Sequence, residues 1–216
     1  MHTEIELWEP AAPVFVHALP ALLEIYAAAM DPPSEQLPGR RAIMEHHAGN
    51  LGFRSVMAIA PASEDPVPAD HGDATGTTAV GFAYGFHGHS GQWWHDIVTG
   101  ELHTRDPAAE RRWFADSFEI AEVHVRPGHQ GRGIGRRLLE RLTAARGERT
   151  AVLSTHTGPT VARGLYRSCG FTDVLPEFYF PGNPGRPFAI MAAPLPLRAR
   201  DRRRSAGISR VWPWTG

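Results

Sequence analysis

One segment constrains the fold of this chain more than any other, because a strand pattern leads directly into a glycine-rich loop and an amphipathic helix. Residues 118 to 125 carry Ile120, Val123 and Val125, and this pattern predicts a strand. Three glycines follow at every second position, and apolar residues then recur at helical spacing from Gly133 to Arg146. Such a loop leaves successive backbone N–H groups free at a helix N-terminus, whose partial positive charge attracts anions. The segment therefore predicts a site for phosphate or pyrophosphate.

Two familiar phosphate loops do not fit this segment. The dinucleotide-binding fingerprint requires G-x-G-x-x-G, whereas the glycines here follow G-x-G-x-G. The nucleoside-triphosphate loop requires a lysine, and all 22 basic residues of this chain are arginine. Three of these arginines, Arg132, Arg136 and Arg137, lie in or directly after the loop, where we expect them to be available to further anionic groups of the ligand.

The loop resembles the acyl-CoA loop of the GNAT superfamily of N-acetyltransferases. The family pattern Q/R-x-x-G-x-G/A is matched by Gln130, Gly133 and Gly135. A second family pattern, A-x-x-L-Y-x-x-x-G-F, is similar to the segment Ala162–Phe171. The two segments occur in the family's order with a short strand predicted between them, and the resemblance covers residues 119 to 171.

The resemblance implies that acetyl-CoA is the acyl donor, and it implies how the chain would bind this donor. Main-chain groups of the strand before the loop would pair with the pantetheine arm, and backbone N–H groups of the loop would hold the pyrophosphate. Pro159 stands where the family often has an asparagine, so we expect a replacement contact from Thr157 or Thr160. The residues implied in cofactor binding are Val123, His124, Val125, Gln130, Gly131, Arg132, Gly133, Ile134, Gly135 and Arg136.

The resemblance also implies catalytic roles. Tyr166 would lie near the sulfur and protonate the departing CoA thiolate. Glu119 would accept the proton of the acceptor amine, because the family uses this position for a catalytic glutamate and because we expect it on the same strand face as the cofactor-binding valines. Glu122 and His124, expected on the opposite face, are the alternatives for the base. The structural alternatives are a solvated or arginine-paired role for the glutamates and a core position for Tyr166.

Transfer to an amine needs a base for the ammonium and an acid near the sulfur, but it needs no covalent enzyme intermediate. Cys169 is therefore expected to be a packed helix residue rather than a nucleophile. We predict an N-acetyltransferase that transfers the acetyl group of acetyl-CoA to a primary amine by direct attack. The alternative is a non-catalytic acyl-CoA-binding or regulatory module that keeps the loop but lacks the acid and the base.

The order of predicted elements indicates the fold class, and a length of 216 residues suits one domain with additions. We expect an α/β fold of the α+β type, with a mixed, mostly antiparallel central sheet of about six or seven strands and helices on both faces, as in the GNAT family. The expected domain spans residues 1–197 with an insertion at about 87–116, and residues 198–216 form a basic tail. The patterns predict strands at 4–8, 53–60, 77–86, 118–125, 151–154, 171–180 and 188–192 and helices at 13–30, 35–48, 106–114, 133–146 and 160–169, whereas residues 87–105 fit no period.

Charge is divided unevenly along a chain whose formal net charge is -1. Residues 1–110 hold 4 arginines and 15 acidic residues, whereas residues 111–216 hold 18 arginines and 8 acidic residues. Because the family's acceptor-binding helices lie in the acidic half, we predict a cationic small-molecule amine as the acceptor. The alternative is that solvated faces differ in charge without binding a ligand.

Three groups of residues fall outside these motifs. The tryptophans Trp93, Trp94 and Trp113 predict a satellite core, with an aromatic wall for the acceptor as the alternative. The arginines of the tail favour a solvated or interface segment over nucleic-acid binding, and a homodimer is compatible with the sequence. Irregular spacing predicts loop or substrate-pocket roles rather than a metal site for four histidines, His87, His89, His95 and His103.

Three features bear on where the protein works. No stretch approaches the ~20 apolar residues of a membrane helix. The N-terminus lacks the basic region and apolar run of a signal peptide. A single cysteine excludes an internal disulfide and any multi-cysteine zinc site. We therefore expect a cytoplasmic protein without a membrane partner.

Overall fold

The computed structural model describes residues 5–61, 77–182 and 185–198. Within these residues, seven strands form one sheet and seven α-helices lie against it. The strands are β1 (Glu6–Trp8), β2 (Arg54–Pro61), β3 (Thr77–Gly88), β4 (Ser117–Val125), β5 (Thr150–His156), β6 (Thr172–Phe178) and β7 (Phe188–Pro194). The helices are α1 (Ala12–His17), α2 (Leu19–Met30), α3 (Leu37–His47), α4 (Trp93–Arg105), α5 (Pro107–Phe114), α6 (Ile134–Thr143) and α7 (Val161–Ser168).

The sheet is mixed, with the strand order β1-β2-β3-β4-β5-β7-β6. Every neighbouring pair of strands is antiparallel except β4 and β5, which are parallel. This topology confirms the predicted mixed, mostly antiparallel sheet. The parallel pair lies in the middle of the sheet, directly before and after the segment that contains the glycine loop.

Helices cover both faces of the sheet. On one face, α6 and α7 pack against the sheet, and α6 buries there an apolar stripe that includes Leu138 and Leu142. On the other face, α1 to α3 cover β2, β3 and β4 around Phe82 and Tyr84. The same face of β5, β7 and β6 is covered by α4 and α5. The two helix groups of this second face therefore meet above β4 and β5.

Two predicted segments differ from the observed elements. The helix predicted over 13–30 is divided into α1 and α2, because Pro20 at the start of α2 has no N–H to continue the helical hydrogen bonds. Residues 87–105 fit no period, yet they contain α4. Its fully buried residues Val98 and Leu102 lie one turn apart. Polar and aromatic neighbours hide this narrow apolar stripe in the sequence.

The helices of the described ranges are all too short or too polar to cross a membrane. The predicted basic tail lies outside the described residues except for its first residue, Arg198. The predicted domain boundary at residue 197 therefore stays a prediction.

Candidate active site

The candidate site begins where β4 and β5 separate. The two strands pair only between Ser117–Glu119 and Thr150–Val152. Beyond these residues β4 continues to Val125 and β5 continues to His156. The facing edges of the two strands are then unpaired, so their main-chain groups are available to a ligand that lies between them.

Val123 and Val125 direct their main-chain groups into this gap. The N–H of Arg126 donates to the carbonyl of Val80 on β3 at 2.8 Å. Because hydrogen-bonding direction alternates along a strand, His124 also directs its main chain toward β3. Val123 and Val125 thus stay predicted cofactor contacts, whereas the main chain of His124 lies away from the gap and does not support its predicted role.

A β-bulge in β4 decides which face its acidic residues share. The register between β3 and β4 shifts at Ala121, which has no partner residue on β3. Glu119 lies opposite Phe86, and Glu122 lies opposite Tyr84. Residues directly opposite in a sheet point to the same face, so Glu119 shares its face with Glu122 and not with the gap-lining valines. The predicted face of Glu119 was wrong, because simple alternation does not hold across a bulge.

Glu119 is a buried carboxyl at the point where the strands separate. Its partner on β5 is Val152, the last paired residue, and Glu119 is only 4% exposed. Its Oε2 has no hydrogen-bond partner among the described residues. Burial disfavours the charged form and raises the pKa of Glu119 from 4.5 to about 8. The carboxyl can therefore take up and release a proton near neutral pH, as a general base must.

Glu122 is largely buried too, with its side chain 10% exposed, but it has partners. Arg40 of α3 donates to its Oε1 at 2.8 Å, and Nε2 of His124 contacts its Oε2. The guanidinium of Arg40 also lies 5.0 Å from the centre of the Tyr26 ring. Burial favours the neutral acid, but the hydrogen bond and charge of His124 and the charge of Arg40 outweigh burial and lower the pKa of Glu122. Glu122 is thus held in its ionised form by two side chains, and it is a weaker base than Glu119.

Sequence reasoning missed the residues that surround Glu122 on the α1–α3 side. Beside Arg40, the ring of His47 lies with its Nδ1 3.1 Å from the hydroxyl of Tyr84. Burial lowers the pKa of His47 to about 4, so this histidine is neutral at physiological pH. No motif marks these positions, because they reach the site from α2, α3 and β3 and only tertiary packing brings them to β4.

Tyr166 lies on α7, on the opposite face of the sheet from Glu119. Its ring is buried and packs edge-on against Phe171, with centroids 5.8 Å apart. Burial raises the pKa of Tyr166 well above its usual value, and the charges of Glu122 and Cys169 add to this effect. The hydroxyl therefore keeps its proton at neutral pH and can donate it. Cys169, at the end of α7, is fully buried, as predicted for a packed residue.

The glycine loop leaves its backbone accessible. Gly131 and Gly133 have φ values of 75° and 77°, and nothing lies within 4 Å of the position of a Cβ at either residue. A ligand can therefore approach their backbone closely, and Gly133 caps the N-terminus of α6. Gln130 holds the loop against β4, because its Nε2 donates to the carbonyl of Val125 at 3.0 Å. Gly135 serves packing instead, since a Cβ there would lie 3.0 Å from a leucine of α7.

Two of the three loop arginines are already engaged. Arg136 donates to the hydroxyl of Ser168 at 2.6 Å, and Arg137 donates to the carbonyl of Ile5 at 2.7 Å. Each guanidinium has further N–H donors, so the availability of Arg136 and Arg137 to a ligand stays a prediction. Arg132 is exposed and makes no hydrogen bond or ion pair within the described residues, so its side chain is available to an anionic group.

The two threonines expected to replace the family asparagine have local partners. Thr160 caps α7 by accepting from the N–H of Arg163 at 3.1 Å. Thr157 donates to the carbonyl of Pro187 at 3.5 Å. The predicted replacement contact to the cofactor stays a prediction for both.

The remaining clusters resolve into packing and pairwise contacts. Within ranges 5–61, 77–182 and 185–198, no group of three or more His, Cys, Asp or Glu could hold a metal ion. His87 and His103 contact different glutamates. Trp94 and Trp113 pack into the core under α4 and α5, as predicted for a satellite core, whereas Trp93 is 60% exposed.

Comparison with known proteins decides the family. Over 192 residues the chain is 34% identical to a GCN5-like protein acetyltransferase of Mycobacterium tuberculosis, and the match covers 81% of this chain and 90% of the relative. The chain belongs to the GNAT acetyltransferase family. The sequence pattern of the family described as "Acetyltransferase (GNAT) domain" matches residues 79–173, which include β4, the glycine loop and Tyr166.

Two further proteins are similar to this chain, one in sequence and one in fold. The chain is 48% identical over 58 residues to the N-alpha-acetyltransferase RimI of Mycobacterium tuberculosis, and the match covers 26% of this chain and 36% of RimI. It shares its fold with an acetyltransferase of Salmonella typhimurium solved with acetyl-CoA, at a TM-score of 0.53 and 18% identity, over 91% of this chain and 97% of that one. This GNAT protein is an acetyl-CoA-dependent acyltransferase. The open backbone of Gly131 and Gly133 and the unpaired edge of β4 fit this donor.

Proposed function

We propose that this enzyme acetylates a primary amine by direct attack, with Glu119 as the general base and Tyr166 as the general acid. The main support is the Glu119 carboxyl, which is buried, lacks a partner for Oε2 among the described residues and lies where β4 and β5 separate. Burying a polar group without a hydrogen bond costs free energy. A catalytic role accounts for keeping such a group at this position.

The two residues would act in sequence. Acetyl-CoA, when bound, supplies an acetyl group activated as a thioester. Glu119, with a pKa of about 8, accepts a proton from the acceptor ammonium. The neutral amine nitrogen then bonds to the acetyl carbon as the carbon–sulfur bond breaks. Tyr166 donates its hydroxyl proton to the departing sulfur, and the newly bonded nitrogen gives up its second proton to restore the Tyr166 phenol. The products are an N-acetylated amine and CoA with a free thiol, and Glu119 releases its proton to solvent.

We propose a cationic small molecule as the acceptor. The excess of acidic residues over residues 1–110 as a whole supports this assignment, although α1 to α3 themselves hold two glutamates and two arginines. A protein amine is the second candidate, because the relative with 34% identity is named a protein acetyltransferase. Assays with small diamines and with lysine-containing peptides distinguish the two candidates by their kcat/KM values.

The catalytic assignment is tested by two conservative substitutions. Glu119→Gln should lower kcat by about 10²- to 10⁴-fold, and Tyr166→Phe should lower it by about 10²-fold. Acetyl-CoA binding, measured by calorimetry, should stay unchanged in both variants. Glu45→Gln and Tyr179→Phe, at exposed positions, are the matched controls and should retain wild-type kcat. Wild-type turnover in Glu119→Gln would contradict the proposed base, and a wild type that binds acetyl-CoA but acetylates no amine would contradict the proposed function.

A further inference from the structure

The α4–α5 pair lies on the face of the sheet to which Glu119 points. Its buried residues, among them Val98 and Leu102, form one core with Val152 of β5. Val152 is the register partner of Glu119, so both side chains point to the same face. The α4–α5 pair therefore covers the half of this face that α1 to α3 leave uncovered, and Glu119 lies between the two helix groups.

The first turn of α4 is held against β5, beyond the last residue that pairs with β4. The indole Nε1 of Trp94 donates to the hydroxyl of Ser154 at 3.3 Å. Ser154 follows Val152 by two residues on β5, so it points to the same face and lies about 7 Å further along the strand. At this level β4 and β5 have separated, because their pairing ends at Val152. The Trp94–Ser154 hydrogen bond thus places the first turn of α4 beside the opening of the gap.

A row of aromatic rings extends from the first turn of α4 to the end of β5. The Trp93 ring stacks on Phe180 with centroids 5.7 Å apart, and Phe180 meets Phe188 at 5.3 Å. Phe188 in turn lies 4.7 Å from the ring of His156, the last residue of β5. We call Trp93, Phe180, Phe188 and His156 the aromatic row. Trp93 at its outer end is 60% exposed, which leaves an apolar ring face available to a ligand.

We propose that the aromatic row is a specificity subsite that binds the apolar part of the acceptor, an alkyl chain or aromatic ring attached to the reacting amine. This assignment rests on the proposed function, because it requires that the amine reaches Glu119 from this face. Trp93 would contact the acceptor, and Trp94 would act as a positioning residue that orients the first turn of α4 through Ser154.

The exposed ring surface of the row favours an apolar group. Such a group gains free energy by covering this surface, of which Trp93 presents the largest exposed part. The reacting ammonium is placed at Glu119, so the acceptor would be an amine with an apolar body.

Two amines of similar basicity, phenethylamine and ethylamine, test the subsite. At saturating acetyl-CoA, Trp93→Ala should raise KM for phenethylamine by about 10-fold and leave KM for ethylamine nearly unchanged. The matched control is Trp8→Ala, because Trp8 is 48% exposed on edge strand β1. This variant should leave both KM values unchanged. Equal KM ratios for the two amines in wild type and Trp93→Ala would overturn the proposal.

The positioning role of Trp94 is tested separately. Trp94→Phe and Ser154→Ala remove the same hydrogen bond, so each should raise KM for phenethylamine, and the double variant should add little to either. Additive effects, or a fall in kcat with no change in KM, would contradict this role. A wild type that acetylates neither amine nor any other acceptor refutes the proposed function. A wild type that acetylates both amines with a preference that Trp93→Ala does not alter refutes only the subsite.

Discussion

Two glutamates on one face of β4 have opposite electrostatic environments. Glu122 accepts from Arg40 and contacts His124, and its pKa is lowered despite its burial. Glu119 lies three positions earlier, its Oε2 has no partner in the part of the chain that the structure describes, and burial alone raises its pKa to about 8. Residue type and strand pattern are the same for both. The partners of each carboxyl decide which one can act as a base.

The raised pKa of Glu119 predicts how stability depends on pH. The folded state holds this proton more tightly than the unfolded state, so the stabilising contribution is complete below pH 4.5 and is lost as the pH rises to about 8. We expect the unfolding free energy of wild type to fall relative to Glu119→Gln over this window, by a few kcal/mol in total. Urea unfolding of both proteins at about pH 5, 6.5 and 8.5 measures the difference. The same pH dependence in both proteins would refute the prediction.

At the scale of elements, β4 contributes both to the proposed donor site and to the proposed acceptor site. Beyond the bulge, its main chain at Val123 and Val125 faces the gap between the strands. Before the bulge, Glu119 points to the face covered by α1 to α5. One strand can therefore present backbone groups to a donor and a carboxyl to an acceptor, because the bulge changes the alternation between the two halves.

The turn that leads into α6 is the predicted pyrophosphate site, and an alanine substitution there tests it. Gly133 and Gly91 both have positive φ, 77° and 97°, with open space at the Cβ position. Alanine at either residue should cost about 1 kcal/mol of stability through backbone strain. Only Gly133 lies at the predicted pyrophosphate site, so Gly133→Ala should also weaken acetyl-CoA binding, whereas Gly91→Ala should not.

Thermal unfolding with acetyl-CoA measures this difference. A ligand at about 100 times its Kd adds about 2.7 kcal/mol, which raises Tm by about 5–10 °C for a chain of this size. Wild type and Gly91→Ala should show this rise at the same ligand concentration. Gly133→Ala should lose most of it. An unchanged rise in Gly133→Ala would place the pyrophosphate elsewhere.

At the scale of the whole molecule, the sheet separates the two ligand environments. The glycine loop and α6 belong to the arginine-rich half of the sequence, and α1 to α3 belong to the acidic half. The two halves meet at the β3–β4 pair. An anionic donor and a cationic acceptor could then be attracted to different parts of one molecule.

This charge distribution predicts a salt dependence that differs between acceptors. At saturating acetyl-CoA, kcat/KM for 1,4-diaminobutane should fall several-fold between about 20 and 300 mM salt, because screening weakens long-range attraction. The fall for butylamine should be smaller, since it lacks the second charge. Equal falls for both, or a fall for butylamine alone, would argue against a cationic acceptor and against the proposed role of the acidic half.

The sequence by itself determined the strand, glycine loop and helix at 119–146, the family and the mixed sheet, because these depend on local periodicity and on backbone freedom at a few glycines. Tertiary structure alone decided the face of Glu119, since a bulge is set by pairing with β3 and leaves no signal in the strand pattern. It also brought Arg40 to Glu122 and Trp94 to Ser154. These contacts join residues 82 and 60 positions apart, and only packing on the sheet determines them.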